Sequence, residues 1–166
     1  MKLRKAGVIV MGVLTILSVL FQGCKPSKKI TDFEIVTLTE HGTAALTDEW
    51  EIQKTPAGAK FVYYSGPWEF HDDVTREDCV KKVVEGDETF YQDLLKVLTD
   101  CKLSAWDGFR KSNKGVLDGT MFSLKAVING GETVSASGSN AYPTGYRDLK
   151  EVFYNLASYG TIRGEE

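Results

Sequence analysis

Histidine is scarce in this sequence, and its scarcity limits the chemistry that the chain can carry. The 166 residues include two histidines, His41 and His71. They lie far apart, and neither has a second ligand residue at the i, i+4 spacing of helical zinc sites. We therefore expect no metal site and interpret both histidines as surface loop residues.

Sequence motifs of the common enzyme classes are missing as well. The chain has no Gly-x-Ser-x-Gly nucleophile elbow, no phosphate-binding Walker loop and no glycine pattern for a dinucleotide. Asp107 and Asp118 are each followed by a glycine. The dipeptide Asp-Gly is above all typical of turns. From the sequence we predict no catalytic residue and no cofactor.

Long apolar runs are limited to residues 6–21, which Lys2, Arg4 and Lys5 precede and Gly23-Cys24 follows. The run is shorter than the ~20 residues that span a bilayer comfortably, and its basic start is typical of a secretory signal peptide. We predict that residues 1–23 are a cleaved signal peptide. The alternative is an uncleaved N-terminal anchor.

The end of this leader resembles the lipobox of bacterial lipoproteins, although Phe21 and Gln22 differ from the commonest residues at their positions. The resemblance implies that Cys24 carries the lipid and becomes the new N-terminus. It also implies a place in the bacterial cell envelope, with the membrane as a partner through the lipid anchor.

Acidic residues outnumber basic ones in the chain that cleavage would leave. Removal of residues 1–23 takes away three basic and no acidic side chains, so 17 Lys and Arg remain against 23 Asp and Glu. The resulting net charge of −6 argues against a nucleic-acid partner.

Cysteine is also rare, with Cys79 and Cys101 remaining once Cys24 is acylated. An even number in an exported protein can form a disulfide, which would close a loop of about 22 residues and contribute roughly 3 kcal/mol. The alternative is two buried thiols, because Cys101 lies on the apolar face of a predicted helix.

The periodicity of apolar residues predicts an α+β domain. Three antiparallel strands are predicted over residues 31–64, a helix from Asp87 to about Leu103, a hairpin turning at Asn129-Gly130, and a helix from Pro143. Residues 71–86 fit either a short helix or a strand. We expect one antiparallel sheet with two main helices on one face.

These elements define the predicted domain boundaries. Residues 24–30 form a tether that holds the body within about 25 Å of the membrane. A single domain occupies residues 31–160, and residues 161–166 form a tail. The final helix is expected to pack its apolar face on the hairpin strand that contains Phe122 and Ile128.

Three short motifs resemble an uncharacterised domain of bacterial envelope and hypothetical proteins. They are Trp-Asp-Gly-Phe at residues 106–109, Leu-Asp-Gly at 117–119 and Gly-Ser-Asn-Ala-Tyr-Pro at 138–143. The resemblance implies kinship rather than an activity, and no catalytic residue can be carried over from it.

The same region contains the best candidates for a ligand cleft, namely Trp106, Asp107, Asn140 and Tyr142. Small-ligand sites often combine aromatic side chains with a few polar groups. The alternative is that these aromatics are core anchors.

Together these observations predict a lipid-anchored, non-enzymatic domain that binds a protein partner or an envelope component. The alternative is a hydrolase-like enzyme whose site is assembled from loops. Exposed aromatics without convergent titratable groups would favour binding, whereas a deep pocket with Asp107 or Asp118 beside His71 would favour an enzyme.

Overall fold

A computed structural model describes residues 26–42, 46–115 and 119–163. Within these ranges the strands are β1 Phe33–His41, β2 Thr47–Thr55, β3 Gly58–Gly66, β4 Val80–Gly86, β5 Arg110–Ser112, β6 Met121–Ile128 and β7 Glu132–Ser139. The α-helices are α1 Glu88–Asp100 and α2 Tyr146–Tyr159, and short 3-10 helices occupy Glu77–Cys79 and Leu103–Trp106. The predicted signal peptide and Cys24, the predicted site of lipid attachment, lie outside the described residues.

The strands form one sheet in the order β4-β3-β2-β1-β6-β7-β5. All neighbours are antiparallel except β5, which runs parallel to β7. β1 is central because it pairs with β2 on one edge and with β6 on the other, in registers such as Leu38 with Trp50 and with Leu124. The predicted α+β class is confirmed.

One face of the sheet carries the core and both α-helices. Alternating residues of the strands point to this face, as period-2 geometry requires. The buried set from the strands includes Val36, Leu38, Trp50, Ile52, Phe61, Leu124, Ala126 and Ala136, and the helices add Leu94, Leu98, Leu149, Phe153 and Leu156. The two helices therefore share one hydrophobic core on one side of the sheet.

The opposite face mixes polar with apolar side chains and is partly covered by the segment between β3 and β4. Arg76 from this segment lies 3.7 Å from the centre of the Tyr64 ring. Its guanidinium donates to Glu49 over 2.6 Å and to Glu51 over 2.7 Å. A cation held by two strand carboxylates thus fixes the segment on the sheet.

This segment resolves the ambiguity in residues 71–86, where both predicted alternatives occur in succession. The 3-10 helix Glu77–Cys79 leads directly into the edge strand β4. The strand β5 was not predicted, since three exposed residues carry no periodic signal.

α1 begins where the sequence predicts it to begin. The side chain of Asp87 accepts a hydrogen bond from the amide of Phe90 at 3.1 Å, which is the geometry of an N-cap. The sequence predicts that α2 begins at Pro143, but its first helical residue is Tyr146. Gly145 precedes it with a φ of 84°, a left-handed conformation that is incompatible with the helix.

The buried face of α2 matches the prediction, but its position on the sheet differs in part. Tyr146 contacts Phe122 of the hairpin, with 4.7 Å between ring centres. Further along the helix, Phe153 packs against Phe61 of β3. α2 thus starts above the hairpin and crosses towards β3 and β4, whereas β7 contacts the 3-10 helix Leu103–Trp106.

Part of the predicted tether, residues 24–30, belongs to the folded body. The Ser104 hydroxyl accepts from the amide of Lys28 at 2.9 Å and donates to its carbonyl at 2.8 Å. Ile30 is buried in the core, and the amide of Thr31 donates to the Asn129 side chain at 2.8 Å. The tether prediction was wrong for Lys28–Ile30. Burial of the apolar Ile30 side chain in the core is more favourable than its exposure to water in a free tether.

Of the two alternatives for Cys79 and Cys101, a disulfide or two buried thiols, the structure has the buried thiols, since both cysteines are free and buried. Cys79 packs against Gly66 at the end of β3, whereas Cys101 ends α1 within the main core. Burial, and to a smaller extent the nearby Asp148, raises the pKa of Cys101 to about 12. Its thiol therefore behaves as a small apolar side chain at neutral pH.

Candidate functional site

An aromatic cleft of about 470 Å³ lies beside the N-terminal segment. It is lined by Pro26, Ser27, Lys102, Ala105, Trp106, Phe109, Lys111, Tyr142, Pro143 and Thr144. Three separate stretches of the chain therefore meet there: the start of the body, the connection from α1 to β5, and the loop before α2.

Trp106 forms the floor of this aromatic cleft. It ends the 3-10 helix that follows α1, and Lys102 makes the sharp turn between them with a φ of 57°. The indole Nε1 donates to the carbonyl of Thr144 at 2.9 Å, and 2 % of the residue is exposed. This hydrogen bond joins two walls of the cleft, so Trp106 serves the fold as much as the cleft.

Tyr142 forms the exposed side of the aromatic cleft and is 38 % accessible to solvent. Its ring stacks on Tyr146 with 4.6 Å between centres, and Tyr146 in turn contacts Trp106 at 6.0 Å. Phe122 contacts Tyr142 and Phe109 from below. The rings form one connected cluster that extends from the core to the surface, so the aromatic wall of the cleft is continuous with the core.

Asp107 and Asn140, the two polar residues predicted for the cleft, are not among the residues that line it. Asp107 accepts a hydrogen bond from the amide of Ser135 on β7 at 3.3 Å. Asn140 has a φ of 51°, and its side chain lies directly against Gly119, where a Cβ atom would clash. Both residues shape the backbone around the cleft, as Asp and Asn often do in turns.

Lys102 and Lys111 supply the charge of the aromatic cleft, and no motif or periodicity in the sequence marks either residue. The ammonium of Lys111 lies 5.4 Å from the centre of the Phe109 ring. Among the described residues that line the cleft there is no carboxylate and no histidine. The site therefore combines apolar surface with positive charge.

Beneath the aromatic cluster lies a buried carboxylate on the core side of β1. Glu40 is 7 % exposed; it accepts a hydrogen bond from the Tyr146 hydroxyl and one from the Lys150 ammonium at 2.6 Å. Burial, and then the bond to Glu40, raises the pKa of Tyr146 well above its usual range. Tyr146 is thus a fixed neutral donor that locks the start of α2 to the sheet.

Of the other recesses, two contain more than one carboxylate but are less convincing sites. The larger, of about 700 Å³, is an open depression between α1 and residues 160–163, with Asp93 and Asp100 on its wall. The smaller, of about 300 Å³, lies on the polar face of the sheet beside Glu49 and Glu69. Glu49 is held there by Arg76, and Glu69 lies 3.1 Å from the His41 ring. Glu49 and Glu69 therefore already have partners within the protein.

The histidines and metal-ligand residues form no centre in the described part of the chain. His41 ends β1, and His71 lies on the exposed loop after β3, away from the aromatic cleft. No group of three or more His, Cys, Asp or Glu side chains that could hold a metal ion occurs in residues 26–42, 46–115 and 119–163. Asp118 lies outside these ranges.

Fold and cleft together define an α+β domain with an aromatic, basic recess beside its N-terminal segment. Comparison of the chain with protein-family models, curated proteins and solved structures finds no match. The resemblance of its three short motifs to an uncharacterised bacterial domain therefore stays a prediction. In the described residues no helix has the length and apolar character needed to cross a bilayer.

Proposed function

We propose that this protein is a lipid-anchored component of a bacterial cell envelope that holds a non-enzymatic binding domain against the membrane, with the aromatic cleft as its binding site. Acylated Cys24 is the anchor in this proposal. The partner is a protein or another component of the envelope.

The main support for this proposal is the short distance along the chain between Cys24 and the aromatic cleft. Pro26 and Ser27, which line the cleft, follow Cys24 by two and three residues. A chain of three residues spans about 10 Å at most, rather than the ~25 Å of a free tether over residues 24–30. A lipid on Cys24 would keep the cleft at the membrane surface.

The lining of the aromatic cleft supports binding rather than catalysis. Trp106, Phe109 and Tyr142 offer apolar surface, and the charged side chains beside them are Lys102 and Lys111. General acid-base catalysis usually needs a carboxylate or an imidazole within reach of the ligand. None lines this cleft among the described residues, and His71 and Asp107 lie elsewhere.

Acyl labelling in bacteria tests the anchor. The full chain expressed with a labelled fatty acid should incorporate label and fractionate with membranes, whereas Cys24→Ser should lose both properties. Cys79→Ser is the matched control, because it removes a buried thiol and leaves Cys24 intact. Unchanged labelling of Cys24→Ser would overturn the proposal.

A further inference from the structure

The chain segments that form the aromatic cleft are basic in an acidic protein. Residues 26–30 and 102–115 contain six basic side chains, Lys28, Lys29, Lys102, Arg110, Lys111 and Lys114, and one acidic side chain, Asp107. The whole sequence has a net charge of −3. These two segments therefore carry an excess of positive charge in a chain whose net charge is negative.

Most of this positive charge is available to an external partner. Lys28 pairs with Glu132 at 3.1 Å. Lys29, Lys102, Lys111 and Lys114 are all exposed, and none forms a salt bridge with another described residue. Exposed, unpaired lysines around an apolar recess are electrostatically complementary to an anionic partner.

Aromatic surface lies between these charges. Tyr142 is 38 % exposed at the rim, and Phe109 is half-buried beside Lys111. Tyrosine is enriched where membranes meet water, because its ring is apolar and its hydroxyl is polar. Lysine ammonium groups can pair with the phosphate of a phospholipid headgroup, and the tyrosine ring can contact the acyl chains below it.

From these observations we infer that the face around the aromatic cleft is a second membrane contact, which binds anionic phospholipid through Lys102 and Lys111 and inserts Tyr142 at the level of the headgroups. This inference rests on the proposed function, because the anchor at Cys24 would bring this face to the bilayer. The anchor supplies attachment, and the face sets the orientation of the domain on the membrane.

The anchor and the face can be tested separately. The chain produced from Lys25 onward has no site for the lipid, but it keeps all residues of the hydrophobic core, which lie between Ile30 and Leu156. Its sedimentation is measured with vesicles of phosphatidylcholine alone and with vesicles of equal parts phosphatidylcholine and phosphatidylglycerol.

We expect binding to the anionic vesicles and little binding to phosphatidylcholine, with affinity that falls as salt is raised. The double variant Lys102→Glu, Lys111→Glu should bind the anionic vesicles at least about tenfold more weakly, since each lysine near a charged surface contributes about a factor of five. Tyr142→Ser should weaken binding at high salt, where the apolar contribution dominates.

A control with the same change in net charge is Lys81→Glu, Lys125→Glu. Lys81 lies on the edge strand β4 at the far end of the sheet, and Lys125 is exposed on β6. This variant should keep most of the vesicle binding, and the melting temperatures of the two lysine double variants should match that of the parent chain.

Equal loss of binding in the control and in the Lys102, Lys111 double variant would overturn the inference, because global charge alone would then explain the attraction. Equal binding to both kinds of vesicle, or inhibition of vesicle binding by millimolar inorganic phosphate, would overturn it as well. Failure of these experiments would leave the acyl labelling of Cys24 untouched, so failure of the inference can be distinguished from failure of the proposed function.

Discussion

Glu40 is a charged residue at a position where the strand pattern places an apolar one. It follows Val36 and Leu38 on the core side of β1, and its carboxylate is removed from water. Burial of a lone carboxylate is costly, so the two donors from α2 are needed to offset it. Lys150, which periodicity assigns to the solvent side of α2, is one of them.

Loss of Lys150 should therefore destabilise the protein. We expect Lys150→Met to lower the free energy of unfolding by about 1–2 kcal/mol, because Glu40 would keep only the Tyr146 hydroxyl; the 41 % exposure of the lysine side chain limits the loss. Urea denaturation at neutral pH measures this change. Glu151→Gln, on the exposed side of the same helix, should change stability by less than about 0.5 kcal/mol. Equal effects of the two variants would contradict the role given to Glu40.

Asp32 should make stability depend on pH on the acid side. Hydrogen bonds from Lys54 at 2.7 Å and from the Tyr91 hydroxyl hold the pKa of this carboxyl below its usual range. Since the folded pKa lies below the unfolded one, the stabilisation is complete above the ordinary pKa near 4 and is lost as pH falls through the folded pKa. Asp32→Asn should therefore be less stable than the parent chain at pH 7, and the difference should shrink below about pH 4.

The control for this pH dependence is Asp72→Asn, a change on the exposed loop after β3. Urea denaturation at pH 7 and at pH 3 compares the two variants with the parent chain, and Asp72→Asn should change the urea midpoint little at either pH. A constant difference between Asp32→Asn and the parent chain from pH 7 to pH 3 would show that the carboxylate charge contributes nothing.

Among the elements, α2 depends on the glycine that precedes it. Gly145 and Gly160 bracket the helix in left-handed conformations, with φ of 84° and 77°. A Cβ atom on Gly145 would clash with the carbonyl oxygen of Cys101, whereas one on Gly160 would meet its nearest neighbour, the Lys82 side chain, at 3.6 Å.

This difference predicts unequal effects of the same substitution at the two ends of α2. Gly160→Ala should cost about 1 kcal/mol from backbone strain alone. Gly145→Ala should cost more, about 2–4 kcal/mol, because the end of α1 must move as well. Thermal denaturation of the two variants compares them directly. Equal melting temperatures would show that the approach of α2 to Cys101 is not tight.

The elements that the sequence predicts well are those with a strong local pattern. The β6–β7 hairpin follows from strict alternation around Asn129, and α1 follows from its cap at Asp87 and a continuous apolar face. The strand β5 and the crossing of α2 towards β3 depend on distant partners. Ser137 pairs with Arg110 across a long stretch of sequence, and no periodicity encodes such a pairing.

On the scale of the whole molecule, the candidate site likewise combines residues that a local pattern predicts with residues that only the assembled fold brings together. Trp106 and Tyr142 are predictable because large aromatic residues beside turns must find a surface to cover. Lys102 and Lys111 both line the aromatic cleft because the end of α1 and the start of β5 lie beside it. This proximity is a property of the assembled fold. Asp107 and Asn140 do not line this cleft because their side chains serve local backbone geometry, although Asn140 lines a neighbouring recess with Tyr142.

The central position of β1 has a consequence for the order in which the protein can be built. β1 to β4 are consecutive neighbours in the sheet and can pair as soon as residues 33–86 are available. The other edge of β1 waits for β6, with Phe33 opposite Ile128. During synthesis, one edge of the nine-residue strand β1 therefore presents unpaired amides and carbonyls until the last third of the chain arrives. A chain stalled before residue 121 would be a template for pairing with other unfinished chains, so prompt completion of the chain protects this fold from aggregation.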